Sequence, residues 1–409
     1  AKVIVGDGAD PDVLRKADIG NAGLVIAVTS LDETNLVVCS LAAAFGASKK
    51  IARVRNHALN RIIQEFGYSR FYIDEVINPE QITAESIVKM VEAPGTREVA
   101  DFANGKIYLR SFNVSKDSCI CNKYLNDPKL KKINIPFLIV AIRRNGTLIF
   151  PRGDTFIKES DRIYVLMPSL SHDEFLNFIN PNFKKIKKVI VYGASEIGKI
   201  VSSKLSSMLR EVIVVEPDLD KANKIAEEIE SIRVINGSAS EADILRECGI
   251  KSADSFIAVS NDDHSNLVSA VLAKKLGANT TIIITHHPDF HSIIDSMGID
   301  IVINPRDLAT YQILRYVRGP KIRHIAKLME LKAEVLELIP EKGAPVTRAP
   351  IKEIDFPKNS IVGAIMRGEN AFLADCNVQI NAGEPVIVFC QDDVKFKLQS
   401  LFIKKKKFF

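Results

Sequence analysis

The sequence predicts an α/β chain in which a doubly wound parallel sheet is followed by a small α+β domain, and the whole unit occurs twice. Three observations predict this. The chain repeats itself: Val3–Arg15 reads against Val234–Arg246 and Ile26–Val37 against Ile257–Val268, at a constant offset of 231 that runs to Gly67 and Gly298. After five extra residues in the first copy, Val76–Pro79 meets Val302–Pro305. A repeat this long implies duplication of whole domains, not a solenoid. Within each copy short apolar runs alternate with helical stretches, the pattern of a parallel sheet covered on both faces. Between and after the copies lie strand-rich stretches separated by turns. The expected domains are therefore 1–92, 97–180, 186–319 and 321–409.

Leu24–Val28 and Lys50–Val54 read as buried strands, with an apolar-periodic helix from Asn35 to Phe45 between them. Ile87–Val91 and Ile313–Val317 are matching helical exits, and Gly95 and Gly319 punctuate them. In 97–180, strands are expected around Tyr108, Phe112, Phe137–Ile142, Leu148–Phe150 and Arg162–Leu166. Asn145-Gly146 between two apolar runs signals a tight hairpin. Val335–Ile339, Ile361–Ile365 and Glu384–Phe389 repeat the pattern, and each small domain carries a turn with an acid just before a strand.

Residue 1 aligns with residue 232, so 188–231 has no counterpart in the first copy. The chain opens on Ala1, and the sequence reads as one that begins inside a domain. Restoring a segment like 188–231 ahead of it is expected to complete a first nucleotide site.

The second copy carries the motif with chemical content. Gly193-Ala194-Ser195-Glu196-Ile197-Gly198 follows the apolar run Val189–Tyr192 and opens a helix expected over Ile197–Leu209. Glu216 closes the next apolar run, Val212–Val215. This is the dinucleotide fingerprint of a Rossmann-like sheet in its required setting. Gly193 allows the tight turn and Gly198 lets helix and sheet pack closely. The helix N-terminus offers amides and a positive dipole end to a pyrophosphate. Glu216 is placed to accept from ribose hydroxyls, which favours NAD over NADP. Ser195 stands where the middle glycine of the fingerprint is expected, with a hydroxyl able to donate to phosphate.

Further candidates fall at the carboxyl ends of strands, where open α/β sheets bind ligands. They are Ser238, Ser260, Asn261 and His286 in the second copy, and Asp7, Thr29, Ser30 and Arg53 or Arg55 in the first. Asn35 and Asn266 occupy identical places, with helix capping and turn formation as their alternative role. His286, His287 and His291 cluster without a recognisable third-ligand pattern, and read as surface groups, not metal ligands.

Composition narrows the function classes. The formal charge is +5 and there is no Trp. The basic runs 184–188 and 404–407 read as a solvated linker and a frayed end, with anionic lipid headgroups as the other reading. No basic stripe interleaved with aromatics points to nucleic acid. The six cysteines are scattered and read as reduced thiols. No apolar run approaches the ~18 residues of a membrane span.

The run Asn236-Gly237-Ser238, Asp243, Ala253-Asp254, Ile257–Asp263, Asn266, Leu272–Gly277, Ile303–Pro305 and Ile313–Gly319 resembles the RCK (KTN) domain of potassium-transport regulators. The tandem order resembles that of Trk-type potassium uptake regulatory subunits, over essentially the whole chain. The resemblance implies RCK N-type sheets, each followed by an RCK C-type domain. It also implies a cytoplasmic subunit, peripheral on the membrane, that binds NAD or NADH, and in some members ATP or ADP. Such subunits form a ring, here expected as a homo-oligomer and a tetramer, beneath a membrane potassium transporter whose gate follows the nucleotide state. Gly193, Ser195, Gly198 and Glu216 match the family's dinucleotide positions. Asp7 matches an adenosine-side acid, and Ser238 replaces it in the second copy.

Two other readings compete. An NAD-dependent oxidoreductase needs a substrate domain that brings an acid or base to the nicotinamide. The small domains here are strand-rich and short of histidine. The regulatory ring of a potassium/proton antiporter would look the same from this chain.

Overall fold

The computed structural model describes residues 2–181, 185–287, 297–317, 322–328 and 331–404. The first copy holds β1 (Val25–Ala27), β2 (Lys50–Arg53) and β3 (Glu75–Ile77) in a parallel sheet of that order. Helices α1 (Pro11–Lys16), α2 (Asp32–Phe45), α3 (His57–Phe66) and α4 (Pro79–Glu92) accompany it. Val25, Ala27, Val38, Cys39, Ala42, Ala52 and Ile63 form its core. Helix α2 starts three residues before the expected Asn35, because Asp32 and Glu33 sit in its first turn, where acids favour a helix. Gly46, at φ +97°, ends it in the left-handed conformation that glycine adopts without strain.

The first small domain pairs β4 (Thr96–Phe102), β5 (Ile107–Asn113), β6 (Leu138–Arg144), β7 (Thr147–Ile149) and β8 (Arg162–Pro168). The sheet is antiparallel, in the order β4-β5-β8-β6-β7. A short helix α5 (Pro128–Lys131) and helix α6 (His172–Ile179) complete it. The expected hairpin is present: Arg144 faces Thr147, and Asn145 and Gly146 turn at φ +50° and +78°. Two positive φ values in a two-residue loop match the twist of the strands they join.

The second copy has the full sheet. It comprises β9 (Lys188–Tyr192), β10 (Glu211–Glu216), β11 (Arg233–Asn236), β12 (Ser255–Ala258), β13 (Thr280–Ile284) and β14 (Ile301–Ile303). Their order is β11-β10-β9-β12-β13-β14, which reverses direction between β9 and β12. Helices α7 (Glu196–Ser206), α8 (Leu219–Glu228), α9 (Ala242–Glu247), α10 (Asp263–Leu276) and α11 (Pro305–Val317) flank it. Helix α7 stops short of the expected Leu209. The hydroxyls of Ser206 and Ser207 bond back to the carbonyls of Ser203 and Lys204, a local competition that ends helices. The larger sheet changes burial at equivalent positions. Ile257 of β12 is fully buried, whereas its first-copy counterpart Ile26 is 37% exposed.

The second small domain repeats the first. Strands β15 (Ile322–Leu328), β16 (Ala333–Leu338), β17 (Ser360–Arg367), β18 (Asn370–Leu373) and β19 (Val386–Gln391) take the order β15-β16-β19-β17-β18, with helix α12 (Lys395–Leu401) after them.

The chain divides into two compact units. One contains the two parallel-sheet copies. In it Lys204 pairs with Glu85 at 3.3 Å, and the Lys49 ammonium lies 4.4 Å from the Tyr316 ring centre. The other contains the two small domains, which share a core built from Phe102, Leu109 and Leu166 on one side and Val335, Met366 and Phe389 on the other. There the buried Glu337 carboxylate accepts from the Ala103 amide at 3.0 Å, and the Phe102 and His324 rings meet edge to face. A Cβ on Gly363 would lie 2.2 Å from Leu166 Cδ1, so a larger residue there would require the Leu166 side chain to shift.

Candidate functional site

The site is built where the second sheet reverses order, at the carboxyl ends of β9, β10 and β12. Gly193 leaves β9 at φ +104°, its amide bonded to Val215 O at 2.9 Å. A Cβ there would stand 2.6 Å from Ser260 Cα. Gly198 lies in the first turn of α7, and a Cβ on it would stand 2.0 Å from Gly193 O. The two glycines thus do what their spacing requires: one turns the chain, the other lets the helix close onto the turn.

Ser195 has a structural part at the start of the helix. It is the N-cap of α7, and its Oγ accepts from Gly198 N at 3.1 Å. Its hydroxyl donates to Val259 O at 2.6 Å. Ser, Thr, Asp and Asn are the preferred caps because a short side-chain oxygen reaches a free helix amide. The middle residue of the fingerprint is therefore used here to tie α7 to β12. Glu196 is exposed and Ile197 is buried, and their amides open the helix.

Glu216 is buried at 6% exposure, with one carboxylate oxygen 2.6 Å from Ala194 N and the other 3.0 Å from Asp218 N. It therefore clamps the Gly-rich turn to the end of β10. Asn236 donates to Glu216 O and Pro217 O and closes the same strand end.

Across the reversal, Asn266 is fully buried. Its Oδ1 accepts from Ser260 N and Ser260 Oγ, and its Nδ2 donates to the carbonyls of Ser260 and Ile284. Asn35 makes the same four bonds, to Thr29 and to Arg53 O. These asparagines are clamps that hold two strand ends to one helix. Ser260 and Thr29 are their partners, while Asn261 and Ser30 are exposed beside them. Ser238 Oγ accepts from Ser240 N, and Asp7 Oδ1 accepts from Ala9 N, equivalent turns at equivalent places. Arg53 donates to Thr29 O at 2.8 Å and Arg55 to Ser30 O at 2.6 Å, so both arginines brace the loop after β1.

One pair was not foreseen. His286 is not a free surface group: its Nδ1 lies 3.0 Å from Asp263 Oδ1, and its amide donates to Asp263 Oδ2. Burial raises the Asp263 carboxyl, but the bonds from His286 and Thr285 prevail and hold it below its ordinary value. Asp32 holds the Arg55 and Asn56 amides in the same way. The signal was an Asp at offset 231 in both copies. His287 lies beside this pair, and its amide donates to Thr285 Oγ1. His291 lies outside the described residues. Among the described residues no three His, Cys, Asp or Glu side chains converge as a metal site.

A doubly wound sheet with a Gly-rich turn at its reversal, followed by a five-stranded antiparallel domain and present in tandem, defines the RCK-type class of fold. The TrkA-N domain model matches residues 1–79 and 189–305, and the TrkA-C domain model matches 109–180. The chain belongs to the TrkA family. It is 28% identical over 395 residues to the Trk system potassium uptake protein TrkA of Halomonas elongata, covering 96% of this chain and 86% of that one. It is 29% identical over 412 residues to the protein of that name from Azorhizobium caulinodans, covering 99% and 90%. Among solved structures, the GsuK RCK domain superposes with a TM-score of 0.60 at 14% identity, over 98% of this chain and 85% of that one. The GsuK channel bound to NAD gives 0.58 at 16% identity, over 98% and 70%.

Proposed function

We propose that the second copy binds NAD or NADH without turning it over, and that the chain is a regulatory subunit of a Trk-type potassium uptake system. The observation that carries this reading is the Gly193–Gly198 turn at the sheet reversal, with the Glu216 carboxylate 2.6 Å from its Ala194 amide. The amides at the start of α7 face the place a pyrophosphate takes, and Glu216 has lone pairs left for ribose hydroxyls. Relatives named as potassium uptake proteins support the transport role, and a structure of similar fold described as bound to NAD supports the ligand. The subunit acts on a membrane partner from the cytoplasmic side, where a homo-oligomeric ring, a tetramer, passes nucleotide state to the gate. Among the described residues no helix is long and apolar enough to cross a membrane.

Titration calorimetry of the full chain with NADH tests the site. Glu216→Ala is expected to weaken binding by about 1.5–3 kcal/mol, the scale of a charge-assisted hydrogen bond. Unchanged affinity would remove Glu216 from the ribose role. Steady oxidation of NADH with small hydroxy- or oxo-acids would instead favour an oxidoreductase. Light scattering is expected to show a tetramer at micromolar concentration, and a monomer there would count against the ring.

A further inference from the structure

A cavity of about 410 Å³ opens on the first small domain between the end of α4, strand β5 and the turn from β8 into α6. Two of its walls are buried polar side chains with incomplete hydrogen bonding. Arg110 is 4% exposed; its Nη1 donates to Asp101 and to the carbonyls of Ala100 and Leu109, while Nε has no partner. His172 is 9% exposed; its Nδ1 lies 3.2 Å from Asp173 Oδ1, and Nε2 has no partner. The Tyr108 ring lies between them, under the Arg110 guanidinium at 4.0 Å and against the imidazole edge. Native interiors rarely leave such atoms unpaired, and two around one cavity ask for an explanation.

The fold itself does not need this polarity. The second small domain has the same strand order, and its register puts Leu336 where Arg110 stands: each faces a valine of the neighbouring strand, Val388 and Val165. A Lys395–Glu334 pair at 3.6 Å stands in the places of His172 and Tyr108. One domain solves the site with an apolar residue and a closed ion pair, while the other keeps an open polar cavity.

The charges around the cavity balance. Lys89, Arg110 and Lys185 face Glu92, Asp101 and Asp173, with Lys89 2.7 Å from Asp101 and Lys185 3.5 Å from Asp173. Burial first, and then the Arg110 charge, hold the His172 imidazole below its usual range, so it stays neutral. Protonating it leaves one surplus positive charge, with Nδ1 still serving Asp173 and Nε2 turned into a donor.

We infer that this cavity binds a small oxyanion, a carboxylate or a phosphate-type group, taken up together with one proton on His172. Arg110 and the imidazolium donate to it, and Lys89 guards the mouth. The cavity then reports anion and acidity at once, in a domain separate from the proposed nucleotide site.

Sulfate is the first probe, because its charge is constant across the range, and acetate is the second, to separate a phosphate-type from a carboxylate preference. Calorimetry on the full chain is expected to show about tenfold tighter binding at about pH 5.5 than at about pH 7.5. In spectra of histidine-labelled protein, the anion is expected to move the titration of one imidazole upward, the one missing from His172→Asn. Arg110→Leu, which copies the sister domain, is expected to abolish binding, and His172→Asn to remove its pH dependence. Binding of equal strength in Arg110→Leu would mark an adventitious ion only. PH-independent affinity, an unmoved His172 signal, or no binding of either probe by the unaltered chain would each overturn the assignment without relying on a variant's stability.

Discussion

Gly198→Ala is expected to destabilise the second α/β domain by about 3 kcal/mol or more and to abolish dinucleotide binding with it. The added Cβ would stand 2.0 Å from Gly193 O and 3.4 Å from Val259 Cγ2. The first of these is backbone, held by the Gly193 amide on Val215 O, so it cannot swing aside as a side-chain tip would. Relief requires α7 to lift off the turn. Lifting it breaks the Ser195 bond to Val259 O and moves the Ala194 amide from Glu216, the two ties that shape the loop. Scanning calorimetry suits the test, since the chain has no Trp to report unfolding. Gly23→Ala is the control, because nothing lies within 4 Å of its added methyl. A Gly198→Ala chain that melts with the parent would mean that the turn is soft and the fingerprint imposes no close approach.

Much of this architecture was legible because the repeat made one half a key to the other. The order of apolar runs gave the parallel sheets, and Asn145-Gly146 gave a hairpin to the residue. Gly193 and Gly198 were assigned roles that the distances bear out, since a glycine's purpose follows from the space it leaves. The roles of polar side chains were less legible. The capping and tying role of Ser195 was hidden, since its partners Val259 and Gly198 meet only when β12 lies beside the turn. Asp32 and Asp263 carried no signal of their own beyond recurring at the same offset; the amides they bind lie just past the strand after their helix, and sequence spacing does not reveal that contact. The edge strands β4 and β15 escaped notice because Asp101, His324 and Lys327 break their apolar pattern. In the fold Asp101 is satisfied by Lys89 and Arg110.

The acid noted before a strand in each small domain turns out to be one device used twice, and its removal is the other change expected to cost most. Asp161 is 1% exposed and takes Arg144 through two bonds of 2.7 Å, from Nε and Nη2, while also accepting the Lys158 amide. Glu384 holds Arg367 in the same fork at 2.6 and 3.2 Å, with the Asn381 amide in place of Lys158. Each pair ties the end of a hairpin strand, β6 or β17, to the turn before β8 or β19. Asp161→Ala leaves Arg144 without its counter-ion at a mostly buried place and orphans the Lys158 amide, a loss of about 2–4 kcal/mol. Asp161→Asn, which keeps an acceptor for one arm of the fork, is expected to lose less. Acid should act on the second pair in the same direction. Burial raises the Glu384 carboxyl, but the bonds from Arg367 and Asn381 more than offset this and hold it below its ordinary 4.5. A depressed acid contributes its stability above its unfolded value and loses it as pH falls through the folded one. Melting temperature is therefore expected to hold at neutral pH and to fall below about pH 4.5, less steeply in Glu384→Gln than in the parent chain. Parallel curves for the two would show that the pair contributes geometry to the turn but no charge-dependent stability.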